Sequence, residues 1–391
     1  MFFVGFKLDS DQTMSPVTVT TEPIWREYRK EFPVTGNLIY LNHAAVAPLP
    51  ARSAIAMQNL AAEAMHFGSL HYDRWLATYE GLRVAAARLI GANRDEIALV
   101  KNTSEGISTV ALGFNWDPGD RIVAFREEFP ANYYPWLRLE SRGCSLTWLS
   151  TEASLAEVDA ACEGAKLLAI SFVQYLSGFR ADLNAIGKIC KRHGCFFFVD
   201  AIQGLGAFPL DVETAQIDGL AADGHKWLLG PEGCGILYVR RSRQDSIFPE
   251  EFGWTTVAGY NDYSSRDLAL RKDAGRYECG TLNTIGCYGL RESIELLLEA
   301  GMDRISRAVQ GLADQLAAGA IAKGYQLLGE RTPENGAGIV TVQKPGLDSR
   351  KVVHELKQDG IIAAPRQGWI RFAPHFYISP EEIDRVIEAL P

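Results

Sequence analysis

Two separated residues could do chemistry in this 391-residue chain. Lys226 stands in the run Gly-His-Lys-Trp, after the apolar stretch 217–222 and before LLGPEGCG. A lysine held beside apolar groups has a lowered pKa, so its amine becomes a usable nucleophile or base. A lone lysine before a Gly/Pro turn is more often simply exposed. Asp200 ends the apolar run CFFFVD. A carboxylate there is costly without a partner, unless it caps the following turn, and these two readings weigh about evenly. Upstream, KNTSEGIS (101–108) follows a strand-like run and opens a helix. Backbone N–H groups at a helix start bind phosphate, and Thr and Ser hydroxyls add donors. Taken alone, that segment reads as an ordinary N-cap.

The elements around these residues alternate. Apolar runs occur at 96–101, 121–125, 145–149, 167–173, 195–200, 217–222 and 235–240, with helical patterns at 105–113, 133–141 and 182–193 between them. Such alternation implies βαβ units and a mainly parallel sheet. The runs lack an in/out alternation, as expected when both faces of a sheet are covered. Earlier, 25–32 reads as a short helix, 38–50 as a strand entering a Pro-bounded loop, and Arg52–Leu89 as one long helix stopped by Gly91. After the loop-rich stretch 250–285 comes a long helix, 286–323. The tail then repeats strand, helix, strand, helix. The expected division is a large domain over 50–285 and a small α/β domain built from 20–49 and 286–391. Residues 1–19 read as a tail, with Met14 a candidate natural start.

The composition is ordinary globular, 47% hydrophobic and 22% charged, with a net charge of -9. An acidic chain has neither the electrostatic footprint of a nucleic-acid binder nor a polybasic membrane surface. No apolar run reaches membrane-spanning length, and the apolar start ends too early for a signal segment. The seven cysteines are scattered, odd in number and without a C-x-x-C pair, so they imply neither a disulfide framework nor a zinc site. A reducing, cytoplasmic location is the simple expectation.

Pyridoxal phosphate needs a lysine for an imine, an acid for its ring nitrogen, a phosphate cradle and an aromatic contact to its ring face. VDAIQ (199–203) and GHKW (224–227) followed by GPEGCGILYV supply the first two in order. This stretch resembles the class V aminotransferase, or cysteine desulfurase-like, family of fold-type I pyridoxal-phosphate enzymes. The resemblance runs from about residue 37 to near the end. It implies a large doubly wound, mainly parallel α/β domain with a small α/β domain. It implies Lys226 as the imine lysine, Asp200 on the pyridine nitrogen, Gln203 on the ring's phenolic oxygen and His225 on the phosphate. Thr103 and Ser104 carry over as phosphate ligands. Phe129, in REEFPANYYPW, carries over as the ring-stacking aromatic, with a core aromatic as its rival. Thr281, in RYECGTLN, is implied to reach the phosphate of a second subunit, giving a homodimer with shared sites. Trp254 does likewise or is a buried hydrophobe. Arg371, in GWIRFAPHFY, is implied to grip the substrate α-carboxylate with its planar, permanently charged fork, and His43 and Ala44 of LNHAA to face substrate, with a loop-stabilising role as the alternative for His43.

The sequence departs from persulfide-forming desulfurases in four places. The window 359–371 holds no cysteine where those enzymes carry one on a mobile loop. Phe129-Pro130 replaces a histidine pair, and FPANYY is closer to the kynureninase-like and isopenicillin-N-epimerase-like branches. Asp223 stands where a phosphate-binding serine is common and is left unassigned, because an anion beside a phosphate is unfavourable. Tyr175 stands where an asparagine is common. These departures favour lyase or epimerase chemistry on an amino acid. Transamination is the runner-up, and a cofactor-binding sensor or scaffold without catalysis is the rival of a different class.

Overall fold

The computed structural model describes residues 22–391, so the expected tail and Met14 lie outside the described residues. Its strands are β1 Ile39–Tyr40, β2 Ile97–Val100, β3 Arg121–Phe125, β4 Ser145–Leu149, β5 Leu167–Ser171, β6 Phe196–Asp200, β7 Gly219–Asp223 and β8 Gly235–Val239. They continue with β9 Gln326–Leu327, β10 Val340–Gln343, β11 Ile361–Ile362, β12 Ala364–Arg366 and β13 Trp369–Phe372.

Seven of them form the central sheet in the order β2-β8-β7-β6-β5-β3-β4. β8 runs antiparallel to both neighbours and the other pairings are parallel, so the expected mainly parallel sheet stands. β6 and β7 are buried throughout, which explains their unbroken apolar sequences. The FFF run divides between two layers. Phe197 joins the larger core, while Phe196 and Phe198 join the smaller one with Trp136. Successive side chains alternate faces along the strand.

Two expected long helices are each broken in two. Arg52–Leu89 becomes Ala51–Phe67 and Tyr72–Ile90, parted at Gly68 with φ 58° and ψ -130°. The stretch 286–323 becomes Thr284–Ala300 and Met302–Ala322, parted at Gly301 with φ 84° and ψ 120°. Both glycines adopt backbone angles that an L side chain rarely tolerates, so periodicity continues across a real break. The expected helix over 133–141 is instead a short helix, Tyr134–Leu137, running into a 3-10 turn, Arg138–Arg142.

In the C-terminal region β12, β13, β10 and β9 form an antiparallel sheet, and β1 pairs in parallel with β11. That pair ties the segment near residue 40 to the one near residue 361. β12 holds Pro365 and lies at a sheet edge, where a missing N–H is tolerated. None of the described helices is long and apolar enough to cross a membrane.

Candidate active site

Five strands deliver their C-terminal ends to one cavity of about 310 Å³. Beyond β2 come Thr103 and Ser104, beyond β3 Phe129, and β5 ends at Ser171 with Tyr175 close behind. β6 ends at Asp200, followed by Gln203. β7 ends at Asp223, followed by His225 and Lys226. Ligands of open α/β sheets bind at this edge, because each strand there gives way to a loop free to carry function.

Asp200 is buried and Lys226 half-buried, and loss of solvent acts on them in opposite directions. Desolvation pulls the Lys226 amine down to about 8, while the nearby Asp200 charge works the other way. Desolvation pushes the Asp200 carboxyl up to about 6, against a hydrogen bond from Ile202 N–H and the charge of Lys226. That bond is 3.1 Å long, and Asp200 is 3% exposed where it lines the cavity. The Lys226 Nζ lies 5.7 Å from the Phe129 ring centroid. Phe129 is 46% exposed and meets Tyr175 edge-on at 5.4 Å, so it is a cavity wall rather than a core aromatic.

Lys226 is held through its neighbour. Trp227 is fully buried, and its Nε1 donates to Gln203 Oε1 at 2.9 Å. Gln203 Nε2 in turn donates to the Ala44 carbonyl at 3.0 Å. Gly206, with φ 96°, lets the loop beyond Gln203 pass this segment; a Cβ there would fall 2.2 Å from the Trp227 carbonyl oxygen.

At the other end of the cavity Thr103 begins the helix Thr103–Gly113, capped by Asn102, whose side chain accepts from Glu105 N–H. Thr103 Oγ1 accepts from Asp223 N–H at 2.9 Å. Asp223 Oδ2 lies 3.1 Å from His225 Nδ1 without the alignment of a hydrogen bond, and Asp223 Oδ1 has no partner. The Asp223 backbone thus holds Thr103, while its carboxylate stands beside His225.

Arg371 is buried at 3% exposure. Its register on β13, opposite Thr341 and Ala364, sends one Nη to the Tyr175 carbonyl at 2.8 Å. Its Nε has no partner. Burial, aided by Arg366, pulls its guanidinium down to about 10. The window 359–371 is not a free loop: β12 and β13 form a hairpin turning at Gln367 (φ 51°) and Gly368 (φ 88°), and Gln367 Nε2 reaches Tyr175 Oη at 3.0 Å.

Other expected residues are placed elsewhere. His43 is wholly buried, with Nδ1 2.7 Å from the Ala373 carbonyl and Nε2 2.6 Å from Tyr377 Oη. Both ring nitrogens are engaged within the fold, and desolvation pulls its pKa to about 4. The expectation that His43 faces substrate is corrected on that ground. Ala44 is buried behind Gln203, and Ala45 lines the cavity instead. Trp254 and Thr281 are exposed and do not line the cavity of their own chain.

The residues missed by sequence reasoning are Ser171, Glu128 and the lining role of Tyr175. Glu128 accepts from Ser171 N–H at 2.6 Å and from its hydroxyl. Burial pushes its carboxyl up to about 7, against those hydrogen bonds. Its signal was its position just before Phe129, and Ser171 showed only as part of an apolar run.

The site fits pyridoxal phosphate by its donor set. A buried carboxylate and a half-buried lysine flank an aromatic wall, hydroxyls sit at a helix start, His225 Nδ1 in the lining lacks a hydrogen-bond partner, and Arg371, held to the lining residue Tyr175, leaves its Nε without one. Buried polar atoms left in this state call for an incoming partner.

The class V aminotransferase family model matches residues 39–368, and the chain belongs to that family. It is a pyridoxal-phosphate-dependent enzyme with the fold-type I architecture. A probable cysteine desulfurase of Pyrococcus abyssi is 31% identical, the match covering 93% of this chain and 96% of that one. The apo structure of the cysteine desulfurase from Thermococcus onnurineus NA1 superposes with a TM-score of 0.85 at 28% identity, covering 93% and 96% of the two chains. A C-DES mutant with glycine covalently linked to its PLP cofactor shares the fold, with a TM-score of 0.85 at 22% identity, covering 92% and 98%. The expected closer tie to the epimerase-like and kynureninase-like branches finds no support in these relatives. A four-residue segment, FPAN, carries little weight beside similarity over nearly the whole chain.

Proposed function

We propose that this enzyme is a lyase that removes a β-substituent from an amino acid, without passing that substituent to a cysteine of its own chain. One observation carries the reading: no cysteine lines the cavity, and the window 359–371 is a cysteine-free hairpin pinned to Tyr175. Six of the seven cysteines are buried. The names of the similar proteins support a sulfur-bearing amino acid as the substrate class.

Pyridoxal phosphate, when bound, supplies an aldehyde carbon and an electron-withdrawing ring. Asp200 would sit with the ring nitrogen, and Thr103, Ser104 and His225 would hold the phosphate. Arg371 binds the substrate carboxylate through its unpaired Nε side and so fixes which α-bond faces Lys226. The Lys226 amine, with a pKa near 8, takes the α-proton and returns it to a later acceptor. Phe129 and Tyr175 screen the reacting carbon from water.

The test is an amino-acid panel with product identification. β-Elimination yields a 2-oxo acid, ammonia and the freed substituent, with no amino acceptor needed. Alanine together with a persulfide on the enzyme marks desulfuration instead. Dependence on an added 2-oxo acid marks transamination, and a racemised substrate marks epimerisation, the other expectation from FPAN. Catalysis surviving replacement of Cys279 and Cys287 by Ser supports the thiol-free reading.

A homodimer with shared sites is part of the same proposal. Phe252, Trp254 and Tyr263 are exposed apolar groups, Trp254 lying beside the segment that carries Thr281, where a Cβ on Gly280 would fall 3.5 Å from its Nε1, and Met65, Phe67 and Leu70 are exposed as well. Such surface is usual at an interface. Lys226→Ala chains and chains inactivated by Thr281→Ala, combined with a Trp254 replacement where the single change leaves activity, should regain activity when unfolded and refolded together, because one site of a mixed dimer is whole. Verified heterodimers without recovery would sink the shared-site model.

A further inference from the structure

Three of the seven cysteines meet far from the cavity. Cys162 ends the helix Leu155–Cys162, Cys190 lies in the helix Leu183–His193, and Cys195 immediately precedes β6. These two helices lie against each other. The exposures of the three cysteines are 0%, 1% and 1%, and their sulfur atoms all lie within 4.8 Å of one another. β6 carries Asp200 at its other end, about 16 Å along the strand, so the cluster is separate from the catalytic cavity.

We propose that Cys162, Cys190 and Cys195 bind one thiophilic divalent ion of the zinc group as a trithiolate. An ion held about 2.3 Å from three sulfurs at tetrahedral angles sets them about 3.8 Å apart, within the spacing observed. An all-sulfur donor set selects soft ions over magnesium or calcium. Each coordinating thiol gives its proton to solvent, so one ion displaces up to three protons and leaves one net negative charge.

The surroundings suit that charge. The helix bearing Cys190 ends in Lys191, Arg192 and His193. Asp159, one turn before Cys162, is already engaged by Arg192 and His193 at 2.6 Å each, which draws its own charge away from the thiols. The other close pair, Cys234 and Cys287 at 3.8 Å, supplies only two sulfurs and no third. Core cysteines more often serve as small hydrophobes; here three from separate segments converge with no disulfide among them.

The experiment uses the cofactor-loaded full chain, reduced and stripped of metal, with cadmium as the probe ion. One cadmium per chain should survive dialysis against a chelator, and cadmium NMR should report three sulfur ligands. Cys162→Ser should weaken retention by at least about tenfold, while Cys144→Ser leaves it unchanged. The bound-cofactor absorbance should be the same in all these chains. A wild-type chain that retains no cadmium, or a resonance showing two or fewer sulfurs, overturns the proposal whether or not the variants fold. Equal retention by Cys162→Ser and wild type overturns it too.

Discussion

The two ends of the central sheet treat a buried aspartate in opposite ways. Asp218, just before β7, is 7% exposed and fully engaged. It accepts from Phe197 N–H at 3.1 Å and from Arg243 Nε at 3.1 Å, with Arg240 3.6 Å away. Asp200, at the far end of β6, receives only the Ile202 N–H, with the Lys226 charge nearby. Two arginines repeat the contrast. Arg83 meets the carboxylates of Glu278, at 2.6 and 2.7 Å, and of Glu80, whereas Arg371 meets one backbone carbonyl and no carboxylate, although each leaves its Nε without a partner. A buried charge matched by an opposite charge holds the fold together, and one without such a match at the functional end of the sheet is the place to look for a ligand.

The largest effect should come from Lys226. Lys226→Ala should abolish the borohydride-fixed adduct and cut turnover by about a thousandfold or more. Only the neutral amine reacts, so the trapping rate on the wild-type apo chain should rise with pH through about 8 and then level off. A trapped adduct at another lysine breaks the assignment.

The aspartates test the contrast directly. Asp200→Asn should lower turnover by about a hundredfold or more with little change in stability, since it relieves a buried charge. Asp218→Asn should do the reverse, costing about 1–3 kcal/mol of stability while turnover stays close to normal. If both variants lose turnover alike, the two ends are not distinct.

Arg371→Gln should raise KM for the amino acid by about 10–100-fold, the worth of a charged hydrogen bond, with the protein still folded. An unchanged KM places the carboxylate elsewhere.

The smallest effect concerns Glu128. Its folded-state carboxyl titrates near 7, above the ordinary value of 4.5. Between those values the folded chain holds a proton that the unfolded chain releases, so this group's stabilisation is present at low pH and lost as pH rises through 7. Glu128→Gln should remove that loss, worth at most about 3 kcal/mol. Unfolding midpoints of the variant and wild type that fall in parallel from pH 5 to pH 8 would falsify the assignment.

Much of this protein could be read from the chain itself. Strand-forming runs carry their own signal, and the residues following them inherit the sheet's C-terminal edge, which placed Lys226, Asp200 and Thr103, although each alone read at least as well as an ordinary turn or cap residue until the motifs were taken together. A family resemblance added Gln203, Phe129 and Arg371. Tertiary structure alone decided the rest. Gly68 and Gly301 break helices whose apolar periodicity runs straight through them, because periodicity reports burial and not backbone continuity. His43 turns inward because Ala373 and Tyr377, more than 300 positions away, satisfy both its nitrogens. Glu128 becomes part of the site only because the chain beyond β3 reaches the end of β5, its neighbour in the sheet. Cys162, Cys190 and Cys195 meet only because two helices lie side by side. Spacing along a chain encodes local geometry; which distant polar atoms complete one another depends on how the elements assemble in three dimensions.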